Sequence, residues 1–293
     1  MYHFIVNPDA GNRKSIKALE VVAKVFKEYG ETYVIHKTEK MGGARHAAEA
    51  LTKKSLEEGG EAVKLVVFGG DGTLHEVLNG IVDPSRCLLG LIPSGTGNDF
   101  AASAGIPEDA EAAAKIILVN APKQTDYLEV GGVRCMNVGG LGIDVDVLVR
   151  YNKKKKKGKI NYLLCLIQSL FVYKGTEIEV EIDGEKLSHK ALIAAACNGK
   201  QFGGGIQICP TAEIDNGKIS SIVVDKMGFF KMLVMFARLM KGNILKDEHT
   251  QHRVCDRIKV TSDKPFPVQL DGEIYENIDF TVSVLEGLKM YRP

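Results

Sequence analysis

The sequence predicts an α/β protein of two domains: an N-terminal domain on a parallel-type sheet covered by helices, then a C-terminal antiparallel β domain. Three observations predict it. From Tyr2 to Asn120, short β-rich runs alternate with helical patterns. After Asn120 the texture changes to strand-like runs punctuated by glycine and polar turns. A length of 293 residues exceeds what one small core accommodates. The boundary falls near Pro122, giving domains 1–122 and 123–293, with the extreme C-terminus a candidate to return to the first.

Each element has its own signal. HFIV opens the chain as a strand. From Arg13 to Tyr29, Ile16, Leu19, Ala23 and Phe26 recur at helical spacing, and Gly30 stands where that helix must end. YVIH is a second strand. Ala44 to Glu58 is an alanine-rich helix closed by Gly59 and Gly60. KLVVF, apolar throughout, is a strand buried on both faces and the centre of the sheet. Leu74, Val77, Leu78 and Ile81 form the next helical stripe, and CLLGLI is the next strand. A helix over Glu108 to Leu118 has Pro107 at its start. Beyond the boundary, TDYLEV, RCMNVG, EIEVEID, ALIAAAC, KISSIVV, DRIKVTS and IDFTVSVL read as strands. The stretch Tyr151 to Tyr173 and a helix over Met227 to Lys241 interrupt them.

Composition excludes several function classes. Lys plus Arg is 38 and Asp plus Glu 37, so no global field marks a nucleic-acid binder, and no nucleic-acid partner is expected. The longest mostly apolar stretch, Tyr162 to Tyr173, is interrupted by Gln168 and Ser169 and is shorter than the ~20 residues a spanning helix needs. The N-terminus lacks the features of a signal peptide. Six scattered cysteines without a C-x-x-C pair read as reduced core residues, which with the missing leader implies a cytosolic chain.

The chemistry concentrates in FGGDGTLHEV, residues 68 to 77, between the buried strand and the next helix. A strand-to-helix junction presents free backbone N–H groups, and glycines let the chain approach an anion closely, so Gly69, Gly70, Gly72 and Thr73 make a phosphate cradle. Asp71 in its middle repels phosphate unless it binds Mg²⁺ or takes a proton from an attacking hydroxyl, and both are tasks of phosphoryl transfer. A tight turn with a helix-capping aspartate accounts for Asp71 and Thr73 equally well if the motif stands alone. It does not stand alone. The next strand ends in PSGTGNDFA, residues 93 to 101, and the first in NPDAG, residues 7 to 11. All three loops project at the carboxyl edge of a parallel sheet, where such sheets place ligands, so Gly69–Thr73 and Gly95–Asp99 face one nucleotide. Neither glycine loop fits the P-loop or the dinucleotide-binding pattern. His75, with no histidine or cysteine at ligand spacing, reads as a supporting or surface residue.

NPDAG, GGDGTLHEVLNG and PSGTGNDFA, in this order and spacing, resemble the diacylglycerol kinase catalytic-domain family, in particular its bacterial soluble lipid kinases. The resemblance continues through CNGKQFGGGIQICPTAEIDNGKI (197 to 219) and QLDGE (269 to 273), so it spans essentially the whole chain. GGDGT by itself also occurs in nicotinamide-dinucleotide kinases and, in variant form, in phosphofructokinases; the PSGTGND loop decides for the lipid kinases. The resemblance implies a three-layer α/β nucleotide domain of the NAD kinase and phosphofructokinase type, and a β-sandwich domain, with ATP and a lipid headgroup in the cleft between them. It places Gly69 to Thr73 and Thr96 on ATP phosphates, with Asn7, Gly95, Asn98 and Asp99 in the same nucleotide site. Thr38, in HKTEKMGGA, matches a nucleotide-contacting threonine, and an N-cap accounts for it equally well. Capping likewise accounts for Asn98 and Asp99.

For the catalytic base, Asp71 from GGDGT competes with Asp271 and Glu273 from QLDGE, and the resemblance supports each; the reach of a carboxylate supplied from the β domain ranks Glu273 first and Asp71 second, the others holding Mg²⁺ or orienting the base. By pattern alone DGE is an ordinary hairpin turn, and EIDGEK at 181 to 186 is an earlier copy of it. PTAEIDNG, 210 to 217, resembles a loop that holds a structural Mg²⁺ in the family, usually P-x-A-x-x-D-D-G; Glu213, Asp215 and Asn216 are its candidate ligands, with Asn216 where a second aspartate stands. A plain β-turn accounts for the same residues. The expected reaction is transfer of the γ-phosphate of ATP to a lipid hydroxyl, diacylglycerol first. Another lipid, a soluble acceptor, or a nucleotide-binding regulatory protein without turnover are the alternatives. Alanine at position 10, where many relatives carry a hydroxyl residue, and Asn216 favour the last of these.

A bilayer substrate implies work at the inner face of the membrane. Lys153 to Lys157 form a local cationic tract for an anionic leaflet, though charge runs are ordinarily solvated loops. Phe229, Phe230, Leu233, Val234 and Phe236, with Lys231, Arg238 and Lys241, form an amphipathic element that either lies in the interface or packs on the β domain. A second copy of the chain is a further candidate partner.

Overall fold

In the computed structural model every residue is described except Lys40 and Lys157, together with the side chain of Lys159. The chain divides into two units, Met1–Asp126 with Glu286–Pro293, and Tyr127–Leu285.

In the first unit, strands β1 (Tyr2–Val6), β2 (Tyr33–Lys37), β3 (Val63–Gly69) and β4 (Cys87–Pro93) pair in parallel in the order β2-β1-β3-β4. Helices α1 (Lys14–Glu28), α2 (Gly43–Glu57), α3 (Asp71–Gly80), α4 (Asp99–Ser103) and α5 (Ala110–Val119) alternate with them. The apolar run in β3 is buried at every position but Lys64, as a central strand requires. Around it Phe4 packs between Phe26 and Phe68, at ring-centroid distances of 4.9 and 5.0 Å. The last residues of the chain return here, where Lys289 and Met290 pair in parallel with Leu88 and Leu89.

Helix α5 starts later than expected. Asp109 is its N-cap and accepts Ala112 N–H at 2.8 Å, so Pro107 precedes the helix rather than opening it; a capping carboxylate sets the boundary.

In the second unit the strands are β5 (Lys123–Val130), β6 (Val133–Cys135), β7 (Val138–Gly142), β8 (Thr176–Ile182), β9 (Glu185–Cys197), β10 (Ile219–Asp225), β11 (Thr250–Cys255), β12 (Arg257–Thr261), β13 (Val268–Leu270), β14 (Glu273–Tyr275) and β15 (Phe280–Met290), with β5 entering the unit and β15 leaving it. They pair antiparallel in the order β14-β13-β7-β9-β8-β12-β15, with β10 between β9 and β11, and β6 on β5. Three helices accompany them: α6 (Ile143–Asn152), α7 (Lys159–Val172) and α8 (Phe229–Met240).

The alternation of β9 explains why ALIAAAC is apolar throughout. Ile193, Ala195 and Cys197 face a core shared with the three helices, whereas Ala194 and Ala196 face a second core made by the strands. RCMNVG is two strands, not one: β6 and β7 break at Met136 and Asn137, whose N–H groups both donate to Asp271. The interruption after β7 begins at Ile143, eight residues before the expected Tyr151, because the first half of α6, with Ile143, Val145, Val147 and Leu148, is buried. All six cysteines are buried and free.

Candidate functional site

The carboxyl edge of the first unit's sheet is made of interlocked loops. Gly69 ends β3 and Gly70 precedes α3; Pro93 ends β4, and Ser94 N–H donates to Gly69 C=O at 2.9 Å. The two glycine loops touch backbone to backbone. A Cβ on Gly95 would lie 2.4 Å from Gly70 Cα, and one on Gly70 would lie 2.8 Å from Gly95 Cα. Only glycine at both positions permits that approach. The third loop joins them, since Asn7 Nδ2 donates to Thr73 Oγ1 at 3.2 Å and a Cβ on Gly11 would lie 2.0 Å from Ser94 C=O.

Asp71 is the first residue of α3 but does not cap that helix. Its Oδ2 accepts Asp99 N–H at 3.1 Å and its Oδ1 accepts Phe100 N–H at 3.0 Å. The carboxylate of GGDGT thus satisfies the free N–H groups that open α4, joining the two loops by charge-assisted hydrogen bonds. Asn98 stands at the N-cap of α4 with φ 57°, but its side chain turns back, accepting Gly95 N–H at 2.9 Å and donating to Gly95 C=O at 3.3 Å. The capping explanation of Asn98 therefore gives way to closure of its own loop. Asp99 is buried as the first residue of α4. Thr96 alone in this group is exposed, at the tip of the loop.

Thr38 is not an N-cap. It is buried after β2, its N–H donating to Val6 C=O at 2.9 Å, and Gly42 occupies the N-cap of α2. The free N–H groups at that end of α2 go to Glu76, which accepts from Gly42 and Ala44 at 2.9 and 3.1 Å. His75 is buried rather than superficial, beside Asn79 one turn on.

In the second unit the two D-G copies are the same turn. Asp183–Gly184 joins β8 to β9 with φ 48° and 89°, and Asp271–Gly272 joins β13 to β14 with φ 53° and 90°, as a two-residue hairpin with both central residues left-handed requires. Both aspartates clamp a neighbouring segment. Asp183 accepts the N–H groups of Asp256 and Arg257, both at 3.2 Å. Asp271 accepts those of Met136 and Asn137 at 2.7 and 2.8 Å and faces the Cys135 thiol at 3.2 Å. Glu273, the first residue of β14, is solvent-exposed.

The PTAEIDNG loop is a turn whose side chains serve each other. Asn216 donates from Nδ2 to Glu213 Oε2 at 3.2 Å and accepts Lys218 N–H on Oδ1 at 2.9 Å. Its Oδ1 keeps a second lone pair, and among the described residues no group of three His, Cys, Asp or Glu is placed to hold a metal ion.

Pattern reading passed over Asp144. It lies buried in the first turn of α6 against an apolar cavity lined by Ile143, Leu166, Ile193 and Met235. Burial pushes its pKa up to about 6, and neither carboxylate oxygen has a hydrogen-bond partner among the described residues. The signal available was GLGIDVD, an aspartate directly after a glycine-rich strand in otherwise apolar company.

Comparisons with known proteins agree with this architecture. The family model described as "Diacylglycerol kinase catalytic domain" matches residues 1–130, and the "YegS C-terminal NAD kinase beta sandwich-like domain" matches residues 137–289. A diacylglycerol kinase of Bacillus subtilis (strain 168) is 28% identical over 273 residues, covering 92% of this chain and 88% of that protein. A probable lipid kinase YegS-like of Enterobacter sp. (strain 638) is 29% identical over 257 residues, covering 84% and 81%. In fold, the chain is similar to a diacylglycerol kinase crystal structure from Bacillus anthracis str. Sterne, with a TM-score of 0.75 at 21% identity over 100% of this chain and 96% of that one.

Proposed function

The chain belongs to the family that joins a diacylglycerol kinase catalytic domain to a YegS-type C-terminal domain, and from that premise we propose that it is an ATP- and Mg²⁺-dependent kinase phosphorylating a lipid hydroxyl, diacylglycerol first, to give phosphatidic acid. The observation that carries the reading is the interlock of Gly70 with Gly95 at the carboxyl edge of β3 and β4. Gly70 and Gly95 bring no side chain of their own to the N–H groups that open α3, which favours the close approach of an anion.

The roles proposed here rest on chemistry and on the resemblance. Gly69 to Thr73, with Gly95 and Thr96, hold the phosphates of ATP; Asn7, Thr38, Asn98 and Asp99 shape and support that edge. Asp71 keeps the two loops in register through Asp99 and Phe100, and its carboxylate would help hold the Mg²⁺ that arrives with ATP as substrate. That ion offsets the charge of the phosphates when bound. Glu273, exposed on β14, accepts the proton of the attacking hydroxyl, and Asp271 positions the turn that carries it. Because phosphoryl transfer is mainly positioning and charge stabilisation, rigid loops are the larger part of the catalyst.

No helix among the described residues is long and apolar enough to cross a membrane. The reading has the enzyme meet a bilayer-resident acceptor at the membrane surface, on the cytoplasmic face where ATP is supplied. The test is incubation with γ-labelled ATP, Mg²⁺ and mixed micelles of diacylglycerol, with monoacylglycerol, a sphingoid base and a lipid-free control alongside. Label in phosphatidic acid is expected. Label in another lipid keeps the reaction and changes the acceptor, and label in no lipid overturns the reading.

A further inference from the structure

We propose that the outer faces of α7 and α8 form one membrane-docking surface, whose apolar side chains enter an anionic lipid leaflet while the lysines before α7 hold its headgroups. The proposal deepens the lipid-kinase reading, and its purpose rests on that reading, but the surface stands on observations of its own.

Each helix has two apolar faces. In α7, Cys165, Leu166 and Leu170 are buried in the core shared with the strands. Ile160, Leu164, Ile167 and Phe171, spaced by four, three and four residues, line the opposite side and are exposed, Ile160 at 78% and Phe171 at 63%. In α8, Met232, Met235 and Leu239 are buried, whereas Leu233, Val234 and Phe230 are exposed, the last at 82%. The expectation that α8 packs on the β domain thus holds for one face only. The bare stripes are continuous. The Phe171 ring lies 4.9 Å from that of Phe229, which lies 5.7 Å from Phe230. Single exposed apolar residues are ordinary, but a contiguous ridge across two helices marks an interaction site.

Charge identifies the occupant. The whole chain is nearly balanced, 38 cationic against 37 anionic residues, yet residues 153–175 contain seven lysines and no Asp or Glu, and residues 226–246 contain five cations and no Asp or Glu. Lys231 and Arg238 are paired with Glu248 and Asp247, so the charge open to a ligand comes from the tract before α7, of which Lys157 lies outside the described residues. Lys153 to Lys156 have no ion-pair partner among the described residues. A lysine-rich margin beside exposed phenylalanine and leucine matches the amphipathic pattern of interfacial helices; protein interfaces are instead poor in lysine.

The experiment is cosedimentation of the full chain with vesicles of phosphatidylglycerol and phosphatidylcholine, or phosphatidylcholine alone, paired with kinase assays on a short-chain diacylglycerol below its micelle concentration. The wild type is expected to bind the anionic vesicles at least about tenfold more tightly than the neutral ones, with binding falling as salt rises. Leu164→Glu combined with Phe230→Glu, both at exposed positions, should weaken binding by about tenfold or more while turnover of the soluble acceptor stays within about twofold. Lys154→Ser, Lys155→Ser and Lys156→Ser together should flatten the salt dependence. Vesicle binding unchanged in the Leu164→Glu, Phe230→Glu variant overturns the proposal. So does a wild type that ignores vesicles, including one whose solution dimer that variant dissociates, which gives the face to a second copy. A wild type that binds vesicles through these residues yet phosphorylates no acceptor upholds the surface and removes the kinase reading.

Discussion

The Asp71 carboxylate accepts the backbone N–H of Phe100 at 3.0 Å across two loops of the first unit, and its other oxygen accepts that of Asp99 at 3.1 Å. An aspartate that the motif offers for metal or proton chemistry is also the bolt between GGDGT and PSGTGND. Loss of activity on its mutation therefore has two sources, and they separate by measurement.

Asp71→Asn turns one acceptor oxygen into an amide donor facing an N–H. It should lower kcat by on the order of 10² or more and reduce unfolding free energy by about 1–3 kcal/mol. Steady-state kinetics with urea unfolding of the same preparation checks both. Wild-type turnover in the variant removes Asp71 from the mechanism.

Gly95→Ala would place a Cβ 2.4 Å from Gly70 Cα, closer than any real contact, so the two loops must part. ATP affinity should fall at least about tenfold, with a loss of stability of about 1–3 kcal/mol. Calorimetric titration with ATP and Mg²⁺ checks it. Unchanged affinity would show that the interlock is not the phosphate site.

Asp271 and Glu273 are two residues apart and should behave oppositely. Asp271→Asn disturbs the acceptors of two backbone N–H groups and should cost about 2–3 kcal/mol of stability. Glu273→Gln, at an exposed position, should leave stability within about 0.5 kcal/mol and lower kcat by about 10²–10⁴. Full activity in Glu273→Gln assigns the proton to another group.

Asp144 sets a pH dependence. Its folded pKa of about 6 stands above the ordinary 3.8, so the native chain takes up a proton as pH falls through this window, and stability rises with it. The ionisation penalty is present above about pH 6 and gone below about pH 4. Asp144→Asn should therefore be more stable than wild type by on the order of 3 kcal/mol at pH 7.5, a difference that vanishes near pH 4. Denaturant midpoints of both proteins across pH 4–8 check it, and a pH-independent difference contradicts it.

The alternating elements of the first unit were legible because each is locally consistent: KLVVF is β3, and Gly30 and Gly59, with φ 72° and 63°, end the helices before them. The meeting of the two glycine loops was legible for the same local reason, since each follows a strand of one parallel sheet. What escaped was set by distant partners. The break between β6 and β7 is made by Asp271, some 135 residues on, and the start of α5 by a capping aspartate. GLGIDVD marked Asp144 only weakly, since its burial depends on α7 and α8 closing over the strands. Asn216 was visible as a departure, but its commitment to Glu213 and Lys218 was not.

The measurement that tests the central claim most directly is a single-turnover reaction of the wild-type chain with γ-labelled ATP, Mg²⁺ and a short-chain diacylglycerol, following the label by chromatography. Label should leave ATP and appear in phosphatidic acid at matching rates, with little in inorganic phosphate. ATP that binds but yields no labelled lipid, or label released only to water, would contradict it.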